Sequence, residues 1–219
     1  MPYTLSNNEF FSLIVQYNQS MYPLQFLLLI LGLLAVVLMH LRQRKKTTYT
    51  AIILGILWVY SGIFYFFMYL PEYSQMSYFY GSLFMLQGIF FFYEAFFRNK
   101  LFFEFEKSAK DITAYIIILT GLLIYPILGI AAGYHMQEIM SLGLPGPTTI
   151  FTLGFLLLGT KRNPLYLVLI PSLWSLVGFT ISLSAGVYLD SLTLISAIIT
   201  VSWLLTRKKY SKVKQAPLE

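Results

Sequence analysis

The stretch GLPGPTTIFTLGFLLLGTKR, residues 143–162, begins like a loop and ends like a membrane helix. From Pro147 to Thr160 it offers 14 residues of helix, about 21 Å at 1.5 Å per residue, short of a hydrocarbon layer of about 30 Å. Lys161 and Arg162 hold one end in a polar setting, so the missing turns belong at the other end, where Gly143, Leu144, Pro145 and Gly146 supply non-helical backbone. Lipid does not tolerate unpaired backbone groups, so this end must be packed in protein or border a wet hollow. Pro147 suits the first helical position, since its missing N–H has no partner there anyway. The pattern predicts an outward vestibule with Thr148, Thr149 and Thr152 at its entrance. The helix's positive end would offer free amides to an anion, a carbonyl or water. The plainer alternative is a short helix shielded by neighbouring loops.

Composition sets the medium. With 58% hydrophobic, 18% aromatic and 11% charged residues, the chain lies far from the soluble globular average and reads as an integral membrane protein. It is all-α, because seven apolar runs are near the length that crosses a bilayer: 22–41, 48–70, 77–97, 111–133, 147–160, 164–185 and 188–206. There is no cysteine, which excludes disulfides, thiolate metal sites and thiol nucleophiles.

Charge orders these runs. Lys and Arg gather at Arg42, Arg44, Lys45 and Lys46, at Arg98, Lys100, Lys107 and Lys110, at Lys161 and Arg162, and in a tail holding Arg207, Lys208, Lys209, Lys212 and Lys214. The alternate boundaries, with Glu9, Glu72, Glu138 and Asp190, hold none. By the positive-inside rule the N-terminus is outside and the C-terminus inside, with residues 1–206 as one transmembrane domain and 207–219 as a basic cytoplasmic tail. The net charge of +6 then reports topology and contact with anionic lipid, not nucleic-acid binding. No removable signal peptide is expected. Residues 1–21 read as an outer interfacial segment, with Ser6 and Glu9 at capping-box spacing and Phe10, Phe11, Leu13, Ile14 and Tyr17 largely on one side.

Polar and small residues recur at helical spacing inside the runs. Tyr80, Gln87 and Glu94 share a face, as do Gly121, Tyr125, Gly129 and Gly133, then Pro171, Ser175, Gly178 and Ser182, and Thr193, Ser196, Thr200 and Trp203. Glu94 is either a functional intramembrane carboxylate or the partner of Arg98 four residues on. Leu-Trp-x-x-x-Gly occurs at Leu57, Trp58, Gly62 and again at Leu173, Trp174, Gly178. Read as a parallel repeat, this gives halves at 22–97 and 147–206 around a linker helix at 111–133. That 3-1-3 order resembles sugar transporters of the SWEET type and would set Trp58 and Trp174 facing each other. The alternative is two unrelated packing tryptophans.

Residues 10–200 also resemble the uncharacterised bacterial multi-pass proteins of domain-of-unknown-function family 6064. The resemblance is carried by Tyr17-Asn18, Leu86-Gln87-Gly88, Tyr125-Pro126 with Gly129, Gly133-Tyr134-His135, the runs 147–154 and 170–178, and Asp190. The family pattern usually has cysteine where this chain has Gly146, so thiol chemistry does not carry over. The resemblance implies an inner-membrane protein and directs attention to His135, Thr148, Thr149, Trp174 and Asp190.

These readings converge on a small-solute transporter or permease that works among membrane lipid. Trp58 and Trp174 would be stacking walls, Gln87, Thr148, Thr149 and Thr152 hydrogen-bonding groups, and His135 and Asp190 the mouth. No cofactor or metal set is recognisable. A membrane-embedded enzyme using His135, Glu138 and Asp190 on a lipid or quinone-like substrate is the second expectation, and a receptor the third. A retinal pigment is excluded, because every Lys falls in a segment read as cytoplasmic.

Overall fold

A computed structural model describes residues 5–41, 45–98, 101–159 and 165–213, with side chains as far as 206. Of the basic residues above, Arg42, Arg44, Lys100, Lys161, Arg162 and Lys214 lie outside the described residues, as do the side chains from Arg207 onward.

The described chain is helical, with isolated bridges but no strand. Helix α1, Asn7–Met21, begins with the expected capping box: the Glu9 amide donates to Ser6 Oγ and the Ser6 amide to Glu9 Oε2. The chain then bends by 87° into α2, Leu24–His40. Helix α3, Lys46–Tyr60, continues through wide turns at Ser61–Tyr69 and a tight one at Leu70–Glu72. Helix α4, Ser77–Tyr93, ends in a wide turn, Glu94–Arg98. Helix α5, Ala109–Leu119, is capped by Ser108 and Asp111. It passes through a wide turn, Thr120–Ile124, into α6, Tyr125–Ala131. That turn directly precedes Pro126, which cannot donate to the turn before it and whose ring would crowd it, so the helix widens there. Helices α7, Pro145–Leu158, α8, Leu165–Ser184, and α9, Ser191–Val213, complete the bundle.

Each of the seven apolar runs thus carries a helix. Helix length alone singles out fewer as crossings: Lys46–Glu72, Ala109–Ala131 and Leu165–Ser184 are long and apolar enough, with a fourth if the bent pair α1 and α2 counts as one. Helix α7 and the apolar part of α9, Ser191–Thr206, are shorter.

Helix α7 is the axis of the fold. Its 14 residues are all buried except partly exposed Gly146, and α5, α8, α9 and α3 surround it. Most other helices turn large apolar side chains outward, such as Phe26, Ile30 and Leu34 on α2, Ile112 and Ile116 on α5, and Leu169 and Leu176 on α8. A soluble bundle would bury those faces. The tightest seam is α5 against α7: a Cβ on Gly121 would lie 2.5 Å from the amide nitrogen of Phe151 and 2.7 Å from the carbonyl of Pro147. Gly154 makes the reciprocal approach, 2.7 Å from the Ile118 amide nitrogen.

Two expectations about local structure are corrected. Helix α7 starts at Pro145, two residues earlier than placed, with Leu144 at the N-cap and Pro147 inside the first turn. Proline is tolerated there because no first-turn amide has an intrahelical acceptor. Helix α1 does not lay its apolar side on lipid: Phe10, Leu13, Ile14 and Tyr17 are buried against the bundle, and its outer side carries Asn8, Glu9, Gln16 and Gln19.

The repeat finds no matching packing. Among the described residues α7 packs on both α8 and α9, whereas α2 packs on α3 without a comparable contact to α4. The shared motif is used differently in its two copies. Gly62 admits the backbone of α4 at Gly81 and Met85, whereas Gly178 makes room for the indole of Trp174 on its own helix.

Because the space beside Gly121 is filled by backbone that has no rotamer to change, Gly121→Ala should destabilise the bundle by about 1–3 kcal/mol. Thermal unfolding of the detergent-purified protein measures this, and an unchanged midpoint would contradict the α5–α7 seam.

Candidate functional site

The α7 N-terminus borders a cavity of about 40 Å³. Its walls include Tyr65, Leu144, Pro145, Gly146, Pro147, Trp174, Gly178, Ser182 and Asp190, and α1 roofs it with Phe10 and Ile14, joined by Leu5. The hollow beside the broken helix is therefore present, but roofed by protein. The roof is held by polar bonds at its rim. Asn18 Nδ2 donates to the carbonyls of Gln137, 2.7 Å, and Ile139, 2.9 Å. Gln19 Nε2 donates to Gln137 Oε1, 3.1 Å, and Asn7 Nδ2 to the Ala185 carbonyl, 2.8 Å.

The loop entering α7 is fixed at Gly143, whose φ of +100° lies in the region that favours glycine. Its carbonyl accepts from Ser61 Oγ at 2.8 Å and Tyr17 Oη at 3.2 Å, and its amide donates to Thr148 Oγ1 at 3.0 Å. Thr148 is thereby spent on the loop and is fully buried.

Asp190 is the one carboxyl of the cavity wall. It lies in the connection before α9 and is 8% exposed. Tyr125 Oη donates to Oδ1 at 2.5 Å and Ser182 Oγ donates to Oδ2. Oδ1 also lies 2.5 Å from where a Cβ on Gly146 would sit, so the carboxylate rests against the first turn of α7. Neither ion pair found among the described residues involves Asp190.

Of the eight predicted site residues, only Trp174 and Asp190 line this cavity. Thr152 does not stand at an entrance: it is fully buried, accepts from Trp58 Nε1 at 2.8 Å, and donates to the Thr148 carbonyl at 2.8 Å. Thr149 is also fully buried, and its hydroxyl has no hydrogen-bond partner among the described residues. Trp58 does not face Trp174; the ring of Phe84 stands between, 4.3 Å from Trp58 and 5.2 Å from Trp174 between centroids. His135 is exposed at the surface, where its amide donates to Glu138 Oε2. No group of three or more acids and histidines capable of holding a metal occurs among the described residues. The expected set of free amides is reduced to one. Pro145 and Pro147 have none, and Thr148 donates to the Leu144 carbonyl, so Gly146 alone offers a donor in that turn.

Gln87 has a different task. Pro171 lies inside α8 and cannot donate to the carbonyl of Leu167 four residues earlier. Gln87 Nε2 reaches across from α4 and donates to that carbonyl at 3.0 Å. The face of Tyr80, Gln87 and Glu94 is thus the seam with α8. Tyr80 meets Trp174, and Glu94 accepts from Tyr166 and pairs with Arg98 at 3.7 Å.

The model of a family of unknown function, DUF6064, matches residues 7–215. The chain belongs to that family. Comparison with curated proteins and with solved structures gave no match. The DUF6064 match takes in α1, every cavity-lining residue but Leu5 and the whole of α9, so roof and bundle fall within one family unit. Tyr125, Ser182 and Gly146 are the residues whose part in the site spacing did not assign. Tyr125 and Ser182 were visible as members of small-residue faces, but only the fold aims both at one carboxylate.

Removing Gln87 leaves the Leu167 carbonyl orphaned. Gln87→Leu should therefore cost roughly 1–2 kcal/mol. In a Pro171→Ala background the restored amide takes that carbonyl, and the cost of Gln87→Leu should shrink. A double-mutant cycle on unfolding midpoints tests this, and additive effects would contradict it.

Proposed function

We propose that this protein is a small-solute transporter or permease of the plasma (inner) membrane, crossing it seven times with α1 outside and the tail inside. The observation that carries the functional reading is the roofed cavity at the N-terminus of α7, holding a buried carboxylate under a helix tied down by its rim. Such a cavity, closed to water on one side and built around few polar groups, suits a solute that enters when the roof lifts. Three facts support the crossing pattern. Large apolar side chains face outward from most helices. The described basic side chains Lys45, Lys46, Arg98, Lys107 and Lys110 belong to the ends of α3, α4 and α5 opposite α1. Lys110 Nζ lies 3.4 Å from the Leu158 and Gly159 carbonyls at the far end of α7. A short α7 is tolerable in such a protein because protein, not lipid, surrounds it. The enzyme reading needs His135 and Glu138 beside Asp190, and no observation favours it.

The absence of cysteine makes the topology directly testable. In intact cells, Glu9→Cys and His135→Cys should react with a membrane-impermeant maleimide, whereas Lys45→Cys should react only after permeabilisation; the opposite pattern would overturn the orientation. Transport is tested by light-scattering of proteoliposomes exposed to methylammonium, urea, glycerol or glycine. At least one solute should enter faster than in empty liposomes. Cross-linking Gln19→Cys to Gln137→Cys with a reversible bifunctional thiol reagent should stop it, and reduction should restore it. Entry of none of the four, or entry indifferent to the cross-link, would overturn the reading.

A further inference from the structure

The cavity wall discriminates among ligand classes. An anion meets an acid in the wall, no Lys or Arg among the lining residues, and a helix turn from which two prolines have removed donors. A hard metal ion needs about six oxygen ligands. Here the oxygens number few, and the hydroxyls of Tyr125 and Ser182 already point their protons at the carboxylate. What remains is a group that donates to a carboxylate and tolerates aromatic and aliphatic walls, with Trp174 and Tyr65 beside it. Cations are attracted to indole and phenol faces, and the attraction grows when water is excluded. We infer that the cavity takes a small protonated aliphatic amine, its ammonium on Asp190 and its alkyl part against Trp174; this rests on the solute-binding reading above. The 40 Å³ hollow has room for about three water-sized groups, which limits the guest to a few heavy atoms.

Charge balance follows from the setting. The titratable side chains around Asp190 are tyrosines: Tyr125 from α6, Tyr134 from the turn after it and Tyr65 from the extension of α3. Helices α1, α7 and α8 bring none to the lining. A buried carboxyl with no cation beside it is favoured in its protonated form. When R–NH₃⁺ arrives, the Asp190 carboxyl gives its proton to the bath and the ammonium N–H takes its place on the oxygen. One positive charge enters and one leaves, and lowering the pH weakens amine binding by competition.

The test is calorimetric titration of the full-length purified protein with ethylammonium chloride, ethanol and sodium acetate, with proton release followed in weak buffer. Ethylammonium should bind with proton release and more weakly as pH falls, while ethanol and acetate should bind at least about tenfold more weakly. Asp190→Asn should lose ethylammonium binding by a similar factor. Should that variant not fold, Trp174→Phe, which keeps a ring against Phe66, Tyr80 and Phe84, should weaken ethylammonium binding. Acetate binding as tightly as ethylammonium, ethanol matching it, or binding unaffected by either folded variant would overturn the inference. If urea or glycerol enters proteoliposomes while ethylammonium does not bind, the amine assignment fails and transport stands. Ethylammonium binding without entry of any solute has the reverse meaning.

Discussion

The structure depends on burying one short helix completely. An α-helix ends in unpaired carbonyls at one end and unpaired amides at the other, and a helix that reaches neither surface must find partners for both inside the protein. At its C-terminus α7 is met by Lys110, whose ammonium lies by the Leu158 and Gly159 carbonyls where the helix dipole is negative. At its N-terminus two prolines remove the amides instead of pairing them, and the Asp190 carboxyl lies against Gly146 where the dipole is positive. Close approach of α5, made possible by Gly121 and Gly154, closes one flank.

The same constraint explains why so many polar side chains inside the bundle serve the backbone. Gln87 satisfies the carbonyl that Pro171 leaves bare, Thr148 receives the amide of Gly143, and Ser61 and Tyr17 donate to the carbonyl of that glycine. Thr152 takes the indole N–H of Trp58. Each is a polar atom that would be costly alone in an apolar interior and is cheap once paired. Asp190 differs. Its hydrogen bonds come from hydroxyls rather than from a cation, and its carboxyl faces a hollow.

The hollow owes its position to α1. An amphipathic helix packs its apolar side on the bundle and bonds its rim to the 136–143 loop, and so roofs the space at the start of α7. Solute exchange is accordingly proposed there rather than between the two tryptophans, which both pack on the ring of Phe84.

Local patterns in the sequence were enough to determine the helices, the break before α7 and its shortness, the capping box at Ser6 and Glu9, the Glu94–Arg98 pair and the segregation of charge, because each depends on residues close together in the chain. Tertiary structure alone decided which polar residues meet a partner and which meet a cavity. Thr148, Thr149, Thr152 and Gln87 share the polarity and helical spacing of pore-lining residues, yet their surroundings are set by helices up to 94 positions away. The partners of Asp190, 65 positions back at Tyr125 and 8 at Ser182, converge only when α6, α8 and the connection before α9 are packed together. Periodicity fixes the side of a helix on which a residue lies, whereas chemistry depends on what stands opposite it, and that is a property of the packed chain.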